Sequence, residues 1–448
     1  MILSLDFDAF YCAVEEHFDP SLAGTPFIVY QKNIIATVSY PARALGLKKL
    51  GYVSEALKQF PDIRLVNGES LAKYRREGRR VYNYVVNNVV NGCPVERLGL
   101  EELWIDISGP VEATLKEVKN GVLTILGPNG QINDECPDDG VPVYSSEQLE
   151  PFLCHNFLFS IPGHVYPQDH SKDLPDFTNS DQMLRAYIAS HIAEYVVDRI
   201  KLECGYTVSV GIATNKTLSK MACKLNKPAG LTLMVPGYEQ HFLDSVPVRS
   251  IPYFKLSLNG DRGLTVKQAK QMFSKEQFMK TAEESGKGQE ARERLWDLLH
   301  GIDSSAVSAA GQGPPKQLSI EDTYPKDSIK NITGISKALK AIVLSLFEKI
   351  LDEHAVIDDN CHWIVKPTIL RLSMRYSNEF YPSRTSVSTK VPFYLFELPT
   401  TSEEKKQYLA DRIVDQLLKI FKYPRNGSSN SVTVRMLNVA LTGFRSCQ

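Results

Sequence analysis

The sequence has no pair of cysteines at metal-site or redox-motif spacing, no run of about 18 apolar residues, and no excess of either charge. Its eight cysteines stand apart, at 12, 93, 136, 154, 204, 223, 361 and 447, which argues against a zinc site and against a disulfide framework. Scattered thiols in a chain of this size favour a reducing compartment. Asp6 and Asp8 break the first apolar stretch too early for a secretory signal. These absences together predict a soluble intracellular protein with no membrane contact. A formal net charge of -1 excludes a uniformly basic nucleic-acid binder, but the charge is segregated. Residues 121–180 hold nine acids and a single base, Lys172, whereas 216–227 hold four lysines and no acid.

The chain is 448 residues long, 43% hydrophobic and 23% charged, enough for a sizeable core divided over about three or four domains. Apolar patterning predicts a strand at 2–7 followed by a helix from Ala9. A hairpin is expected at 27–30 and 34–38, turning at Gln31-Lys32-Asn33, and short helices at 42–49 and 53–60. A long amphipathic helix is expected at 74–90, stopped at Asn91-Gly92, then one strand or a short hairpin at 98–107. Residues 128–172 read as a surface insertion. Apolar residues at 184, 188, 192, 195 and 196 predict a core-facing helix, followed by a strand at 206–213 and a lysine-rich helix. The stretch AVSAAGQGPP has linker composition. Beyond it, strands at 368–376 and 432–441 enclose a helix at 403–421. The fold class is therefore α+β and multidomain.

Four stretches carry chemistry. In SLDFDAFYCAVEE an acidic residue, Asp6, ends a buried strand. A cap for the next helix is the plain reading, but Asp8, just before Ala9, suits that better. In ERLGLEELWIDIS, Glu101 and Glu102 interrupt another apolar run; as neighbours in a strand they would face opposite sides. Carboxylate oxygens of this kind suit Mg²⁺ shared with substrate phosphates. In SYPARALGLKK, Tyr40 and Arg43, with Lys48 and Lys49, can grip phosphate oxygens or form a solvated basic helix. In SVGIATNKTLSKMACKLNKPAGL, Lys216, Lys220 and Lys224 recur every four residues on one helical face, and Lys227-Pro228 follows in a loop. A lysine stripe alone is more often a solvated face than a ligand site.

In this order and at these separations, the motifs resemble the catalytic core of the Y-family translesion DNA polymerases, and VERLGLEE is similar to the iota branch of that family. The resemblance extends over nearly the whole chain. It implies a right-hand polymerase: palm at 1–9 and 73–232 with an acidic insertion at about 121–180, small fingers at 10–72, helical thumb at 233–305, linker at 306–314, and a C-terminal α+β little finger (polymerase-associated domain) at 315–448. It further implies template-directed addition of deoxynucleotides to a primer 3'-hydroxyl, bypass of damaged bases, and two Mg²⁺ ions, with Mn²⁺ as a substitute. Asp6, the main-chain carbonyl of Phe7, Glu101 and Glu102 match the catalytic metal ligands. Tyr11 matches the gate beneath the sugar. Tyr40, Arg43, Lys49 and Lys227 match the triphosphate grip, and Gln31 and Ile34 lie over the nascent pair. Lys216, Lys220, Arg371, Arg375, Arg384, Lys390 and Arg435 are candidates for DNA contact, and 371 and 375 share strand parity. Template–primer DNA and deoxynucleoside triphosphates are the expected partners of a nuclear monomer; no sliding-clamp peptide is visible. Two departures stand out: Glu101 occupies a position where the family has Asp, and LSLNGDRGL replaces a tighter glycine hairpin in the thumb. Rival readings are the eta, kappa or deoxycytidyl-transferase branches, or a catalytically weakened DNA-binding relative.

Overall fold

A computed structural model describes residues 1–119, 161–167, 180–258, 263–309, 315–325, 329, 331–351, 356–357, 363–376, 384–396, 403–421 and 433–446. It divides into two compact units, Met1–Ala310 and Gly311–Gln448. The acidic stretch at 121–180 lies almost wholly outside the described residues, as does part of LSLNGDRGL. No described helix is long and apolar enough to cross a membrane.

Among the described residues the first unit contains nine strands: β1 (Ile2–Phe7), β2 (Phe27–Gln31), β3 (Ile34–Val38), β4 (Arg64–Asn67), β5 (Val95–Leu98), β6 (Glu102–Asp106), β7 (His164–Tyr166), β8 (Val208–Ala213) and β9 (Leu231–Met234). Six of them form a sheet in the order β5-β6-β1-β8-β9-β7, with β1 central and antiparallel to both neighbours. Ile2, Leu3, Leu5 and Phe7 are all buried, so both faces of β1 are covered and the strand reads as a continuous apolar run rather than an alternating one. The long helix Asp181–Cys204 supplies much of that cover. Ser180 caps its start by accepting from the Met183 amide at 3.2 Å, and Gly205, at φ 77°, ends it.

The helix expected at 74–90 divides into α-helix Ala72–Tyr84 and a π-helical turn Val85–Val89 before Gly92. Val81, Val85 and Val89 join the sheet core, and this continuous burial holds the change of pitch in place. The helix expected at 42–49 is instead Tyr40–Ala44: the Ser39 hydroxyl accepts from the Ala42 amide, Pro41 presets the first turn, and Gly46 (φ 93°) ends it. It packs near a small sheet of order β3-β2-β4. Helices Glu239–Ser245, Val266–Met272, Lys275–Glu284 and Gln289–Leu299 follow β9, gathered around Phe242, Leu243, Phe278, Leu298 and Leu299.

The second unit is an antiparallel sheet of order β10-β14-β12-β13, built from β10 (Gln317–Thr323), β12 (Ile369–Tyr376), β13 (Thr385–Lys390) and β14 (Val434–Thr442); β11 (Val365–Lys366) pairs with β15 (Arg445–Ser446). Leu370, Leu372 and Met374 bury one face of β12 in a core shared with helices Ile332–Leu351 and Glu403–Ile420.

Candidate active site

Strand register brings two of the carboxylates together: Asp6 on β1 pairs directly with Glu102, the first residue of β6. Glu101 does not share the strand. It ends the β5–β6 turn, where its carbonyl accepts from the Phe7 amide at 3.1 Å, so the opposite-sides rule for neighbouring strand residues does not apply. Gly99, at φ 72°, turns this hairpin back. Burial, and then the nearby Asp6 and Glu102, push the Glu101 carboxyl up to about 7. Burial also raises the Asp6 carboxyl, against the opposing pull of Lys227.

The lysine helix, Lys216–Ala222, sits directly on the sheet. A side chain at Gly211 of β8 would come within 2.0 Å of the Ser219 carbonyl oxygen, so only glycine permits this approach. Two of the three lysines of the stripe expected as a solvated face point inward instead. Lys216 and Lys220 lie over the Trp104 ring at 4.5 and 5.3 Å from its centroid. Lys216 reaches Glu96 at 2.8 Å and Lys220 reaches Glu102 at 2.8 Å. Lys216 is only 8% exposed, which leaves it without the surface a DNA contact needs. Lys224 lies beyond the helix and is exposed. From the loop that follows, Lys227 reaches Asp6 at 2.7 Å.

The residues expected to hold the nucleotide lie on the helix Phe10–Phe18, on the small sheet and on the helix Tyr40–Ala44 and the loop after it. The Arg43 guanidinium lies over the Tyr40 ring at 4.6 Å, the i, i+3 pairing its spacing predicts, and Arg43 Nε donates to the Val38 carbonyl at 3.0 Å. Lys49 is exposed, yet its charge acts on the Glu101 carboxyl. Tyr11 stacks on Tyr74, with centroids 4.2 Å apart and planes 16° from parallel. Tyr74 is fully buried, and its hydroxyl donates to Glu15. Gln31 donates from Nε2 to the Gly68 carbonyl at 2.9 Å, and Ile34 is 37% exposed.

Asp8 does not cap a helix. The cap position is Ala9, in the left-handed region at φ 45°, with no side-chain hydrogen bond. The Asp8 carboxylate is 3% exposed and accepts from Ser209 Oγ at 2.7 Å, the Ala229 amide at 2.8 Å and the Tyr40 hydroxyl at 3.4 Å. Sequence reasoning also missed Trp104 and Glu96. The two-residue spacing of Glu102 and Trp104 was the available signal, since it sets both on one side of β6.

In the second unit, Arg371 and Arg375 point away from the core side of β12, as their shared parity predicts. Arg371 Nη2 donates to Gln317 Oε1, and Arg384 pairs with Glu321 at 3.1 Å. Arg435 lies where the β12–β14 register shifts, and its carbonyl accepts from the Tyr324 amide.

The family model described as impB/mucB/samB matches residues 5–224, the segment that holds the carboxylates, the small sheet and the lysine helix. Over those residues the chain is similar to this family. Among relatives, it is 28% identical to DNA polymerase iota of Drosophila melanogaster over 94% of this chain and 50% of that protein. It is 27% identical to DNA polymerase iota of Homo sapiens over 97% of this chain and 50% of that one. A DNA polymerase IV of Pseudomonas syringae pv. tomato is 24% identical over 77% of this chain and 76% of its own length. The chain thus spans about half the length of the polymerase iota relatives it matches.

Proposed function

We propose that this chain is a template-directed DNA polymerase of the translesion type, iota-like. It would be organised as a right hand, with palm, fingers, thumb, linker and little finger at the boundaries given above. The observation that carries the reading is the register pair Asp6–Glu102 with Glu101 beside it, with Lys227 bonded to Asp6 and the charge of Lys49 acting on Glu101. Asp6, Glu101, Glu102 and the Phe7 main-chain carbonyl would hold the two Mg²⁺ ions. The donors fit, being hard oxygens, and the burial and neighbouring carboxylates that raise Glu101 would be offset by divalent charge. Among the described residues no three acidic, His or Cys side chains converge enough to hold an ion alone, so the Phe7 carbonyl and substrate phosphates complete the set. Bound metal supplies a lower pKa at the primer 3'-hydroxyl and charge neutralisation on the triphosphate.

The chain's own side chains do the rest. Arg43, oriented by the Tyr40 ring, and Lys227 and Lys49 bind phosphate oxygens and offset the charge that grows on the leaving pyrophosphate. Tyr11, backed by Tyr74, packs beneath the sugar and leaves no room for a 2'-hydroxyl. Gln31 and Ile34 cover the nascent pair. Arg371, Arg375, Arg384 and Arg435 grip template–primer phosphates, with sequence read by base pairing. Lys216 and Lys220 are withdrawn from DNA contact, since Glu96 and Glu102 hold them. We assign the protein to the nucleus as a monomer.

Primer extension with Mg²⁺, and then Mn²⁺, tests the reading. Asp6→Ala and Glu102→Ala should each abolish insertion while DNA affinity stays near wild type. Substantial extension by Asp6→Ala would sink the two-metal assignment, and a wild-type chain that binds DNA without extending primers would leave only a DNA-binding relative. Insertion opposite each of the four template bases separates the iota branch from its rivals.

A further inference from the structure

We propose that Asp8 is a positioning residue for the incoming triphosphate, joining the two cationic arms that grip it. The inference rests on the reading of Arg43 and Lys227 given above and adds to it a buried junction. Asp8 directly follows β1, and both of its carboxylate oxygens are used. Oδ1 accepts from Ser209 Oγ at 2.7 Å, on β8, and from the Tyr40 hydroxyl at 3.4 Å, in the fingers. Oδ2 accepts from the Ala229 amide at 2.8 Å, two residues beyond Lys227.

Two of the three bonds lead to an arm each, and the third, from Ser209, ties Asp8 to the sheet. Tyr40 carries the Arg43 guanidinium on its ring, so holding the Tyr40 hydroxyl holds the face on which Arg43 rests. Ala229 sits at φ 52°, a backbone state unusual for a residue with a side chain, which aims its amide at Asp8. The loop doubles back tightly there: a side chain at Gly230 would stand 1.7 Å from the Asn226 carbonyl oxygen. Asn226 Nδ2 donates to Thr232 Oγ1 at 3.0 Å, and the Val210 amide donates to the Gly230 carbonyl at 2.8 Å. The loop is thereby anchored to the sheet at its far end, and Asp8 fixes the turn nearest Lys227. A carboxylate suits this junction because three donors converge on it and it donates nothing in return. An asparagine of the same shape would turn an amide N–H toward at least one of them.

Asp8→Asn and Ser209→Ala are the variants to compare with wild type, on full-length protein with bound template–primer. The readouts are the dissociation constant of a non-hydrolysable deoxynucleoside triphosphate, DNA affinity by anisotropy, and amide hydrogen exchange at Ala229. Asp8→Asn should weaken nucleotide binding about tenfold or more, the usual cost of losing hydrogen bonds to a charged group, with DNA affinity unchanged and the Ala229 amide exchanging faster. Ser209→Ala, which removes one donor and adds no group, should weaken nucleotide binding about threefold and so carries the test if Asp8→Asn fails to fold. In a double-mutant cycle, Tyr40→Phe should cost less in the Asp8→Asn background than alone. Unchanged nucleotide affinity in both variants overturns the inference. So do strictly additive effects, or slow Ala229 exchange in Asp8→Asn. A shifted Mg²⁺ requirement with nucleotide affinity intact also overturns it, since Asp8 would then act on metal. If wild-type protein binds no nucleotide at all, the functional reading fails, and Ala229 exchange still reports on the Asp8 tie.

Discussion

Single side chains in this protein are set by what burial does to their charge. Arg43 stands on the helix Tyr40–Ala44 against the Tyr40 ring, and Lys227 reaches Asp6 from the loop after the lysine helix. Losing either should lower insertion efficiency about ten- to a hundredfold, the range expected for a charge-assisted contact. DNA affinity and its salt slope should hold, because no DNA phosphate contact is lost. Steady-state kinetics on Arg43→Ala and Lys227→Ala, with DNA binding at several salt concentrations, checks this; a steep loss of DNA affinity would move both residues to the template–primer. His191 makes a different case, far from the carboxylates in sequence. It is 6% exposed, its ring meets Tyr187 edge-on at 4.6 Å, and neither ring nitrogen has a hydrogen-bond partner among the described residues. Burial pushes its pKa down from 6.5 to about 4, although the Glu194 carboxylate at 3.8 Å favours the cation; the loss of hydration outweighs that partly exposed charge. Between these values the unfolded chain binds the extra proton, so stability is present above about 6.5 and is lost as pH falls toward 4, on the order of 3 kcal/mol in full. Denaturation midpoints from pH 7 to 4 should show this loss in wild type and a shallower one in His191→Leu. Equal slopes would exclude His191 as the source.

At the scale of elements, close backbone approach decides where the carboxylates sit. The helix Ala72–Tyr84 passes under the β5–β6 turn at Gly78, where a side chain would stand 2.3 Å from the Leu100 carbonyl oxygen. Glu101 is the next residue. Alanine is normally the better helix former, by roughly 1 kcal/mol, but at this position overpacking should dominate and cost about 1–3 kcal/mol. Gly78→Ala should therefore lower stability and also slow insertion, because the turn carrying Glu101 must move, while DNA affinity is kept. Gly109, which has nothing within 4 Å of an added side chain, is the control and should be near neutral when changed to Ala. Thermal unfolding and single-turnover insertion on both variants test the contrast; a Gly78→Ala protein as stable and as fast as wild type would show that the turn is not constrained from below.

Over the whole molecule the charge that nearly cancels is divided between the two units. Residues 1–310 carry 32 Lys and Arg against 38 Asp and Glu, a net of -6, and 311–448 carry 19 against 14, a net of +5. Each unit has its own core. A chain ended at Ala310 should therefore keep its own cooperative unfolding transition. It should bind DNA more weakly, with a salt slope shallower by about 3–4 if Arg371, Arg375, Arg384 and Arg435 each meet a phosphate, at ~0.9 per contact. An unchanged slope would place the DNA grip in the first unit.

Much of this was open to reading in the sequence, because short-range physics sets it. The strand carrying Asp6 near its end, the hairpin at Gln31-Lys32-Asn33, the four-residue lysine period and the shared parity of Arg371 and Arg375 follow from side-chain periodicity and turn chemistry. The α+β class and the acidic pairs were legible on the same grounds. Periodicity states which residues share a face and is silent on what that face meets. Only the folded chain decided that the lysine helix turns onto Trp104 rather than to water, since that depends on Gly211 allowing helix and sheet to touch. Only the register of β1 against β6 set Asp6 opposite Glu102 and left Glu101 in the turn. Asp8 reads locally as a cap for the helix beside it. Its partner Ala229 stands 221 residues away, and a buried carboxylate goes to whatever donors the tertiary fold brings to it.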